Sequence, residues 1–358
     1  MPPDPAGSAR PARRPTIADI ARSAGVSKSA VSYALNGQQG ISPATAERIL
    51  AVANDLGWRP NRAARSLRAA TAGACGVVLA GRPSVHPFGP YFSDLFSGVE
   101  GELSSRGIAL MLQMVDDTAE EMVVLRNWWA ERRVDGVILV NLRAEDPRIP
   151  FLEDLGMPAV VIGGPAGTGR LPYSATDDAG GMREMFRYLV AIGHRRIARV
   201  AGPGDMMHTV ERTAMFGAEL EQAGVHGETI ETDYTSSAGA WATRRLLSGP
   251  QPPTAIVYDS DVMAVGGLGV AHEMGVAVPG QLSLVSFDDS PLCQLVHPAI
   301  TALTRDLAGR GVAAVRILMD VIAGLPAQSS MSPAARLTPR ASTAAPPPSA
   351  TAQPPRPN

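Results

Sequence analysis

Seven short apolar runs recur between residues 76 and 287, separated by stretches with the periodicity of amphipathic helices. The runs are GVVLA (76–80), IALMLQM (108–114), GVILV (136–140), AVVIG (159–163), IARVA (197–201), TAIVY (254–258) and LSLVSF (282–287). They are rich in β-branched residues and do not alternate with polar residues, which is typical of strands buried on both faces of a parallel sheet. The pattern predicts an α/β domain of the doubly wound type. Roughly 270 residues are too many for one such sheet, so we expect two similar lobes.

Charge is distributed unevenly along the chain. Residues 1–70 contain ten basic and four acidic residues, whereas the remainder contains 22 basic and 30 acidic residues. This asymmetry indicates an anionic partner for the N-terminal segment. The only two cysteines, Cys75 and Cys293, cannot build a disulfide framework or a multi-cysteine zinc site, and no apolar run approaches the roughly 18 residues of a membrane-spanning helix. We therefore expect a cytoplasmic protein without a secretion signal.

Both ends of the chain have an unusual composition. Residues 1–15 contain five prolines, and residues 344–358 contain six prolines and no large apolar residue. Neither segment can bury a core, so both are predicted to be disordered tails.

Residues 16–60 carry the start and stop signals of three short helices. Thr16, with Asp19 three residues later, forms a capping-box pattern before the first helix. Ser27 can cap the second helix, and Ser42, followed by proline, can begin the third. Apolar residues recur at helical spacing on one face of each segment. The spacing predicts an all-α domain with a tight helix-turn-helix.

The second of these helices presents polar side chains at its beginning. A recognition helix lies in the major groove with its N-terminal residues against the base edges, so these side chains are candidates for reading DNA. A solvated helix face is the alternative interpretation. The candidate DNA contacts of this domain are Thr16, Ser27, Lys28, Ser29, Ser32, Tyr33 and Asn36.

The next segment, WRPNRAARSLRAA (58–70), contains four arginines and no acidic residue. Asn61 can cap a short helix, but about two helical turns are marginal in water without packing. We therefore expect residues 61–70 to form a short helix that folds only on binding.

The phrases TIADIARSAGVSKSAVSYALNG (16–37) and WRPNRAARSLR (58–68) resemble the LacI/GalR, or lactose-repressor, family of bacterial transcription regulators. In that family the second segment is a hinge helix that pairs with its twin from the other subunit and inserts a leucine into the minor groove at the operator centre. The resemblance places Leu67 in this role, and an apolar wedge between base steps kinks a duplex. The candidate DNA contacts of the hinge are Asn61, Arg62, Ala64, Leu67 and Arg68.

Four later phrases resemble the effector domain of the same family. They are VDGVILV (134–140), GHRRIARVAGP (193–203), VYDSDVMAVGGLGVAHEMG (257–275) and LSLVSFDDSPL (282–292). That domain is similar to periplasmic sugar-binding proteins, with two lobes linked by strands that cross between them. The resemblance covers residues 16 to about 343, and it implies an effector-binding and dimerisation domain over residues 71–343.

Ligands of doubly wound folds bind outside the carboxyl ends of the strands, so the loops after the apolar runs are the places to search. Aromatic residues after the first run can stack on a sugar ring or can simply cover the core. The resemblance identifies Arg212 as the effector-binding arginine and Asp288 as the ligand-accepting aspartate, and it favours a structural role for Asp261. The candidate effector contacts are Phe88, Tyr91, Phe92, His208, Arg212, Tyr234, Ser260, Asp288 and Arg305.

Several positions depart from the family pattern. Gly163 and Gly164 stand where members often carry an aspartate, Met215 stands where they carry a glycine, and Arg305 stands where a glutamine is common. Because Arg212, Arg305 and His208 could all approach a ligand, these differences favour an effector with an acidic group over a plain neutral sugar. The family resemblance implies a sugar or a related metabolite, so a sugar-like and an acidic small-molecule effector both stay open.

Three classes of function are open to such a chain: an effector-responsive DNA-binding regulator, a periplasmic solute-binding protein and an enzyme on a doubly wound fold. A periplasmic receptor needs an export signal and has no use for a basic helix-turn-helix. The chain contains three acidic doublets that could suggest acid/base chemistry: Asp116-Asp117, Asp177-Asp178 and Asp288-Asp289. They are equally expected as helix caps and effector contacts, and no nucleophile-elbow, metal-ligand or P-loop pattern accompanies them. We therefore expect a transcriptional regulator, and a repressor by family resemblance, that is not an enzyme and needs no cofactor.

Two recognition helices related by a twofold axis read a palindrome, so the protein is expected to bind a palindromic operator as a homodimer. A tetramer is not expected, because the tail beyond residue 343 lacks the leucine heptads of the C-terminal coiled coil that makes tetramers of some members of the family.

Overall fold

The structure is a computed structural model and describes residues 15–58, 71–81, 89–333 and 335–348. The chain divides into two compact units, Met1–Ala72 and Gly73–Asn358. Phe88 and the candidate hinge contacts Asn61, Arg62, Ala64, Leu67 and Arg68 lie outside the described residues.

The first unit contains the three predicted helices, α1 (Ile17–Ala24), α2 (Lys28–Leu35) and α3 (Pro43–Asp55). All three predicted N-caps are confirmed, because the side chains of Thr16, Ser27 and Ser42 each accept a hydrogen bond from a backbone N–H in the first turn. The helices pack around a small core in which Ile20, Val31 and Ile49 are fully buried.

The first lobe of the second unit is a parallel six-stranded sheet with the order β11-β5-β4-β3-β1-β2. Its strands are β1 (Ala74–Ala80), β2 (Ala109–Val115), β3 (Gly136–Leu139), β4 (Ala159–Ile162), β5 (Tyr173–Ala175) and β11 (Ser330–Met331). Helices cover both faces: α4 (Pro90–Ser105), α5 (Thr118–Ala130), α6 (Arg148–Leu155) and α12 (Leu307–Ile322). Trp128 of α5 is 1% exposed and packs beside Gly76, where a Cβ would collide with its ring. Trp128 thus belongs to the core of the first lobe.

The second lobe has a six-stranded sheet with the order β12-β10-β9-β8-β6-β7, parallel except for the β10–β12 pair. Its strands are β6 (Ile197–Ala201), β7 (Thr229–Glu231), β8 (Ala255–Tyr258), β9 (Ser283–Ser286), β10 (Thr301–Thr304) and β12 (Arg336–Thr338). Its helices are α7 (Asp178–Ala191), α8 (Met207–Ala223), α9 (Ser236–Leu247), α10 (Asp261–Glu273) and α11 (Pro291–Leu295). The chain passes between the lobes after β5, after β10 and after β11, which confirms the prediction of two similar lobes.

The packed chain continues past residue 343, where we expected the C-terminal tail to begin. Ser342 is fully buried, and the Ala344 N–H donates a hydrogen bond to Ser283 Oγ (3.1 Å). His194 Nε2 lies 3.1 Å from the Ala344 carbonyl oxygen. These contacts hold the end of the domain against the second lobe.

No helix within the described ranges is both long and apolar enough to cross a membrane.

Candidate functional site

The exposed face of α2 is the candidate DNA interface of the first unit. Val31 and Ala34 point into the core and fix the rotation of the helix, so Lys28 and Ser29 are exposed and Tyr33 is 41% exposed. The first turn of α2 carries no acidic side chain, and the positive end of the helix dipole therefore faces outward unopposed. This surface can approach a phosphate backbone and place side chains against base edges.

The remaining predicted DNA contacts of this unit take part in helix capping. The Thr16 hydroxyl donates to Asp19 Oδ2 (2.6 Å), and the Ser27 and Ser29 hydroxyl oxygens lie 2.9 Å apart. Ser32 is half-buried, and the exposed Asn36 amide donates to the Ser32 carbonyl oxygen (2.7 Å). Thr16 thus fixes the start of α1, and Ser27 and Asn36 fix the two ends of α2.

An ion-pair cluster lies at the carboxyl ends of the strands of the second lobe. Asp259 follows β8, Asp288 follows β9 and Arg305 follows β10, while Arg212 reaches them from α8 and Asp178 from the start of α7. Arg212 Nη2 donates to Asp178 Oδ2 (2.8 Å), and Arg305 Nη1 lies 3.5 Å from Asp178 Oδ1. Arg305 is also paired with Asp288. The structure therefore brings Arg212, Asp288 and Arg305 together, as the sequence predicted, with Asp178 between the two arginines.

Asp259 is held in place by a second arginine. Arg199 of β6 is fully buried and makes a bidentate pair with Asp259, with distances of 2.8 Å from Nε to Oδ1 and 2.6 Å from Nη2 to Oδ2. Its third nitrogen, Nη1, donates to Thr213 Oγ1 (2.7 Å). Arg212 Nη1 lies 3.8 Å from Asp259 Oδ2, so Asp259 lies between two guanidinium groups.

Aromatic rings border the cluster on both lobes. The Arg212 guanidinium lies 3.5 Å from the ring centroid of Phe287, and the Arg305 guanidinium lies 4.8 Å from it. Arg305 is also 5.7 Å from the ring centroid of Tyr91, which belongs to the first lobe. Phe92 instead stacks on Phe96 at 5.5 Å and packs against the first-lobe core. Tyr91 thus borders the candidate site, whereas the position of Phe92 suits the alternative of covering the core.

His208 and Tyr234 form a hydrogen-bonded pair beside the ion-pair cluster. His208 Nε2 lies 2.7 Å from the Tyr234 hydroxyl oxygen. Burial, together with the nearby Arg212 charge, lowers the pKa of His208 to about 3, so its ring is neutral at pH 7. Burial raises the pKa of Tyr234, which keeps its hydroxyl protonated. The tyrosine ring lies against Gly202, where a Cβ would collide with it. This pair can offer one hydroxyl hydrogen bond without a charge.

The charges of the cluster balance. Burial opposes ionisation of Asp178, but Arg212 and Arg305 outweigh it and lower the pKa of that carboxyl. Burial raises the pKa of Asp288 to about 6, with Arg305 partly offsetting the effect. At pH 7 each arginine of the cluster faces a carboxylate. An acidic ligand at Arg199, Arg212 or Arg305 would therefore compete with the carboxylate that is already paired there.

Ser260 and Asp261 are occupied by local structure. The Ser260 hydroxyl caps α10 by accepting a hydrogen bond from the Met263 N–H (3.4 Å). Asp261 accepts one from the Ser290 hydroxyl and another from the Val262 N–H (2.7 Å). The position of Asp261 agrees with the structural role expected for it.

Sequence reasoning did not single out Asp259 and Arg199, and it treated Asp178 only as one of several acidic doublets. Asp259 carries a usable signal, because it directly follows an apolar run and so stands at the carboxyl end of a strand. Arg199 carries another, since it is a charge inside a run that is otherwise buried, and a buried charge requires a partner. Asp178 follows a three-residue strand that the pattern did not reveal.

The two lobes also touch beside this cluster. The Met207 N–H donates to the Leu142 carbonyl oxygen (2.8 Å), and the Ala144 N–H donates to the Asp205 carbonyl oxygen (2.8 Å). Arg143 and Asp205 form an ion pair across the same contact. These three contacts join the two lobes.

Comparison with known proteins gives concordant matches for both units. A model of bacterial regulatory proteins of the lacI family matches residues 16–61, and a periplasmic binding protein-like domain matches residues 186–343. The HTH-type transcriptional regulator CelR of Thermobifida fusca is 34% identical over 319 residues, which cover 87% of this chain and 93% of that protein. The HTH-type transcriptional regulator MalR of Streptomyces coelicolor is 32% identical over 333 residues, which cover 88% of this chain and 92% of that protein.

Solved structures agree with these matches. A complex of the transcriptional regulator CelR with cellobiose is 31% identical, with a TM-score of 0.69 over 92% of this chain and 100% of that chain. A lac repressor dimer bound to operator and the anti-inducer ONPF is 25% identical, with a TM-score of 0.82 over 93% of this chain and 100% of that chain.

Proposed function

Since this chain belongs to the LacI family of bacterial regulatory proteins and is a DNA-binding transcriptional regulator, we propose that it represses its target genes from a palindromic operator. It binds there as a homodimer in the cytoplasm, and a sugar-like effector held between the two lobes changes its affinity for DNA. The observation that carries the effector part of the proposal is the ion-pair cluster, which joins both lobes through Arg305 and Tyr91.

The chemistry of the cluster suits a polyhydroxylated ligand. Carboxylates accept hydrogen bonds from hydroxyl groups, the His208–Tyr234 pair offers a neutral hydroxyl, and the Tyr91 ring can stack on a sugar face. The similar CelR structure is a complex with cellobiose. Because the arginines are already paired, a neutral sugar is favoured here over the acidic effector that the sequence alone suggested.

The position of Arg305 supplies a route for coupling. It lies between β10 and α12, where the chain passes from one lobe to the other, and it contacts Asp178 and Asp288 of the second lobe. A ligand that competes for these carboxylates changes the contacts of a crossover segment. Lobe closure then differs between the free and bound states, as an allosteric response requires.

The operator proposal is tested by selecting fragments from a randomised DNA library with the full chain. We expect an inverted repeat, because two identical recognition helices related by a twofold axis read identical half-sites. Sedimentation of the DNA-free protein is expected to give two chains per particle. A retained site without inverted symmetry, or four chains per particle, would contradict the proposal.

Changing Tyr33 to arginine is expected to change the preferred bases of the operator, beyond any change in affinity. Arginine can make a bidentate contact with guanine, whereas tyrosine offers one hydrogen bond or an apolar contact with a thymine methyl group. Library selection with the wild-type and variant chains measures the preference. The variant Arg22→Lys on α1, which keeps the charge of an exposed side chain, serves as the control. If Tyr33→Arg retains the wild-type site, Tyr33 does not read bases.

A further inference from the structure

We propose that the segments 142–144 and 205–207 form a latch, which holds the two lobes of the second unit together and has to open before the lobes can move apart. The latch is built from the chain's own backbone and side chains, so it acts without any ligand. It concerns the movement of the lobes and goes beyond the DNA binding and effector binding proposed above.

The two segments are paired through their backbones. The two interlobe hydrogen bonds described above flank Arg143 and Met206 and make them the non-hydrogen-bonded partners of an antiparallel bridge. The bridge is isolated and belongs to neither of the two sheets. It can therefore break while both sheets stay intact, as a local opening of the folded protein.

An ion pair reinforces the bridge and also limits its strength. Arg143 and Asp205 are paired across it, with side chains that are 31% and 52% exposed. Ion pairs at such exposure contribute little to stability and are screened by salt. The latch is thus specific in its geometry but weak enough to open.

The side chain of Met207 joins the start of α8 to the first lobe. Although α8 belongs to the second lobe, Met207 packs against the hydrophobic core of the first lobe. Its Cε atom lies 3.0 Å from the position that a Cβ would take at Gly167, in the loop after β4. Gly167 has a φ of +77°, which favours glycine and so leaves room for the methionine.

The first lobe also completes the start of α8. The N–H groups of a first helical turn have no partner within the helix, and the N-cap residue, Met206, provides no side-chain acceptor. The Leu142 carbonyl oxygen of the first lobe accepts the hydrogen bond of one of these groups. His208 and Arg212 follow on the same helix. Opening of the latch therefore changes the position of both effector candidates relative to the first lobe.

The first-lobe segment of the latch is fixed to its own lobe. Arg148 is 2% exposed, pairs with the buried carboxylates of Glu121 and Asp146, and donates to the Asn141 carbonyl oxygen (2.9 Å). Asp146 also accepts a hydrogen bond from the Arg143 N–H (2.9 Å). These bonds lie on both sides of the latch segment, so it moves with the first lobe as one body.

Charge reversal at Asp205 tests the latch in the full chain, without DNA or sugar. Asp205→Arg replaces the attraction to Arg143 with repulsion, so we expect hydrogen exchange of the Ala144 and Met207 amides to become about tenfold faster. Hydrogen-exchange mass spectrometry of the peptides that contain these two amides measures the rates.

Two further variants separate the ion pair from overall charge. Adding Arg143→Asp to Asp205→Arg rebuilds the pair with its charges exchanged and is expected to restore the slow exchange. Glu273→Arg is the matched control, because it reverses one charge of the exposed Arg244–Glu273 pair within the second lobe. It should leave exchange of the latch amides unchanged.

A disulfide across the bridge tests the pairing directly. In the double variant Arg143→Cys with Met206→Cys, the two Cα atoms are expected to lie about 4.5 Å apart, which suits a disulfide. Oxidation with glutathione disulfide should link them within one chain and slow exchange of the latch amides below the rate of the reduced form. The native Cys75 and Cys293 are buried and should not compete.

Equal exchange rates in the wild type and in Asp205→Arg would overturn the proposal, and so would fast exchange that the charge-exchanged pair does not slow. A double-cysteine variant that forms no disulfide would show that the two segments do not meet in solution. An equal effect of Glu273→Arg and Asp205→Arg would attribute the change to overall charge and also overturn the proposal. None of these outcomes depends on binding of DNA or effector, so they are separate from the tests of the proposed function.

Discussion

Replacing Arg199 with methionine is expected to lower the free energy of unfolding by about 3–5 kcal/mol. The substitution removes both hydrogen bonds of a fully buried bidentate pair and leaves Asp259, which is 1% exposed, with its charge largely uncompensated. Arg212 lies 3.8 Å from the same carboxylate but is already bonded to Asp178. Denaturant titration followed by tryptophan fluorescence measures the loss for the full chain.

Two further variants separate a buried charge from a simple loss of packing. Adding Asp259→Asn to Arg199→Met is expected to recover part of the lost stability, because the stranded charge is removed. Arg244→Met breaks an ion pair whose side chains are 53% and 63% exposed, and it should change stability little. If Arg199→Met unfolds at the wild-type denaturant concentration, the Arg199–Asp259 pair does not hold the second lobe together.

Six of the seven apolar runs form central strands that are buried on both faces, as predicted. The prediction was wrong for the run 108–114, which forms β2, an edge strand that is only partly buried. β5, β7, β10, β11 and β12 escaped prediction for a physical reason. They are two to four residues long and each contains at least one polar residue, so no run or alternation marks them. β12 is also placed by an antiparallel pairing with β10, a contact between segments more than 30 residues apart. Such pairings depend on the tertiary fold and leave no local pattern.

The candidate site was predictable in its residue types but only partly in its pairing. Arg212, Asp288 and Arg305 follow from the rule that ligands bind at the carboxyl ends of strands together with the family resemblance. The ion-pair partners cannot be predicted in this way, because they are distant in sequence. Arg212 pairs with Asp178, 34 positions away, and Arg199 pairs with Asp259, 60 positions away. The preference for an acidic ligand was inferred from Arg212, Arg305 and His208, without knowledge of their partners. In the structure both arginines are paired with carboxylates, and this is the reason why we propose a neutral sugar.

Changing Arg212 to alanine is expected to abolish the response to the effector while leaving the affinity of the effector-free protein for operator nearly unchanged. The substitution removes a group at the centre of the ion-pair cluster, but it strands neither carboxylate. Asp178 keeps Arg305 at 3.5 Å, and Asp259 keeps its bidentate pair with Arg199. The fold and the DNA-binding unit should therefore survive. The effector is first identified by screening sugars for release of the selected operator from the wild-type chain.

Operator affinity measured with and without that sugar gives the coupling between the two sites. Allosteric coupling of about 1–3 kcal/mol changes operator affinity by roughly 5-fold to 150-fold, and reciprocity requires the operator to change sugar affinity by the same factor. In Arg212→Ala, the sugar should no longer change operator affinity, and the operator should no longer change sugar affinity, so both ratios should equal one. Arg183→Ala, which removes an arginine that is 42% exposed on α7, should keep both. An Arg212→Ala protein that still responds like the wild type would place the effector outside this cluster, because a ligand can shift an equilibrium only through contacts that differ between the two states.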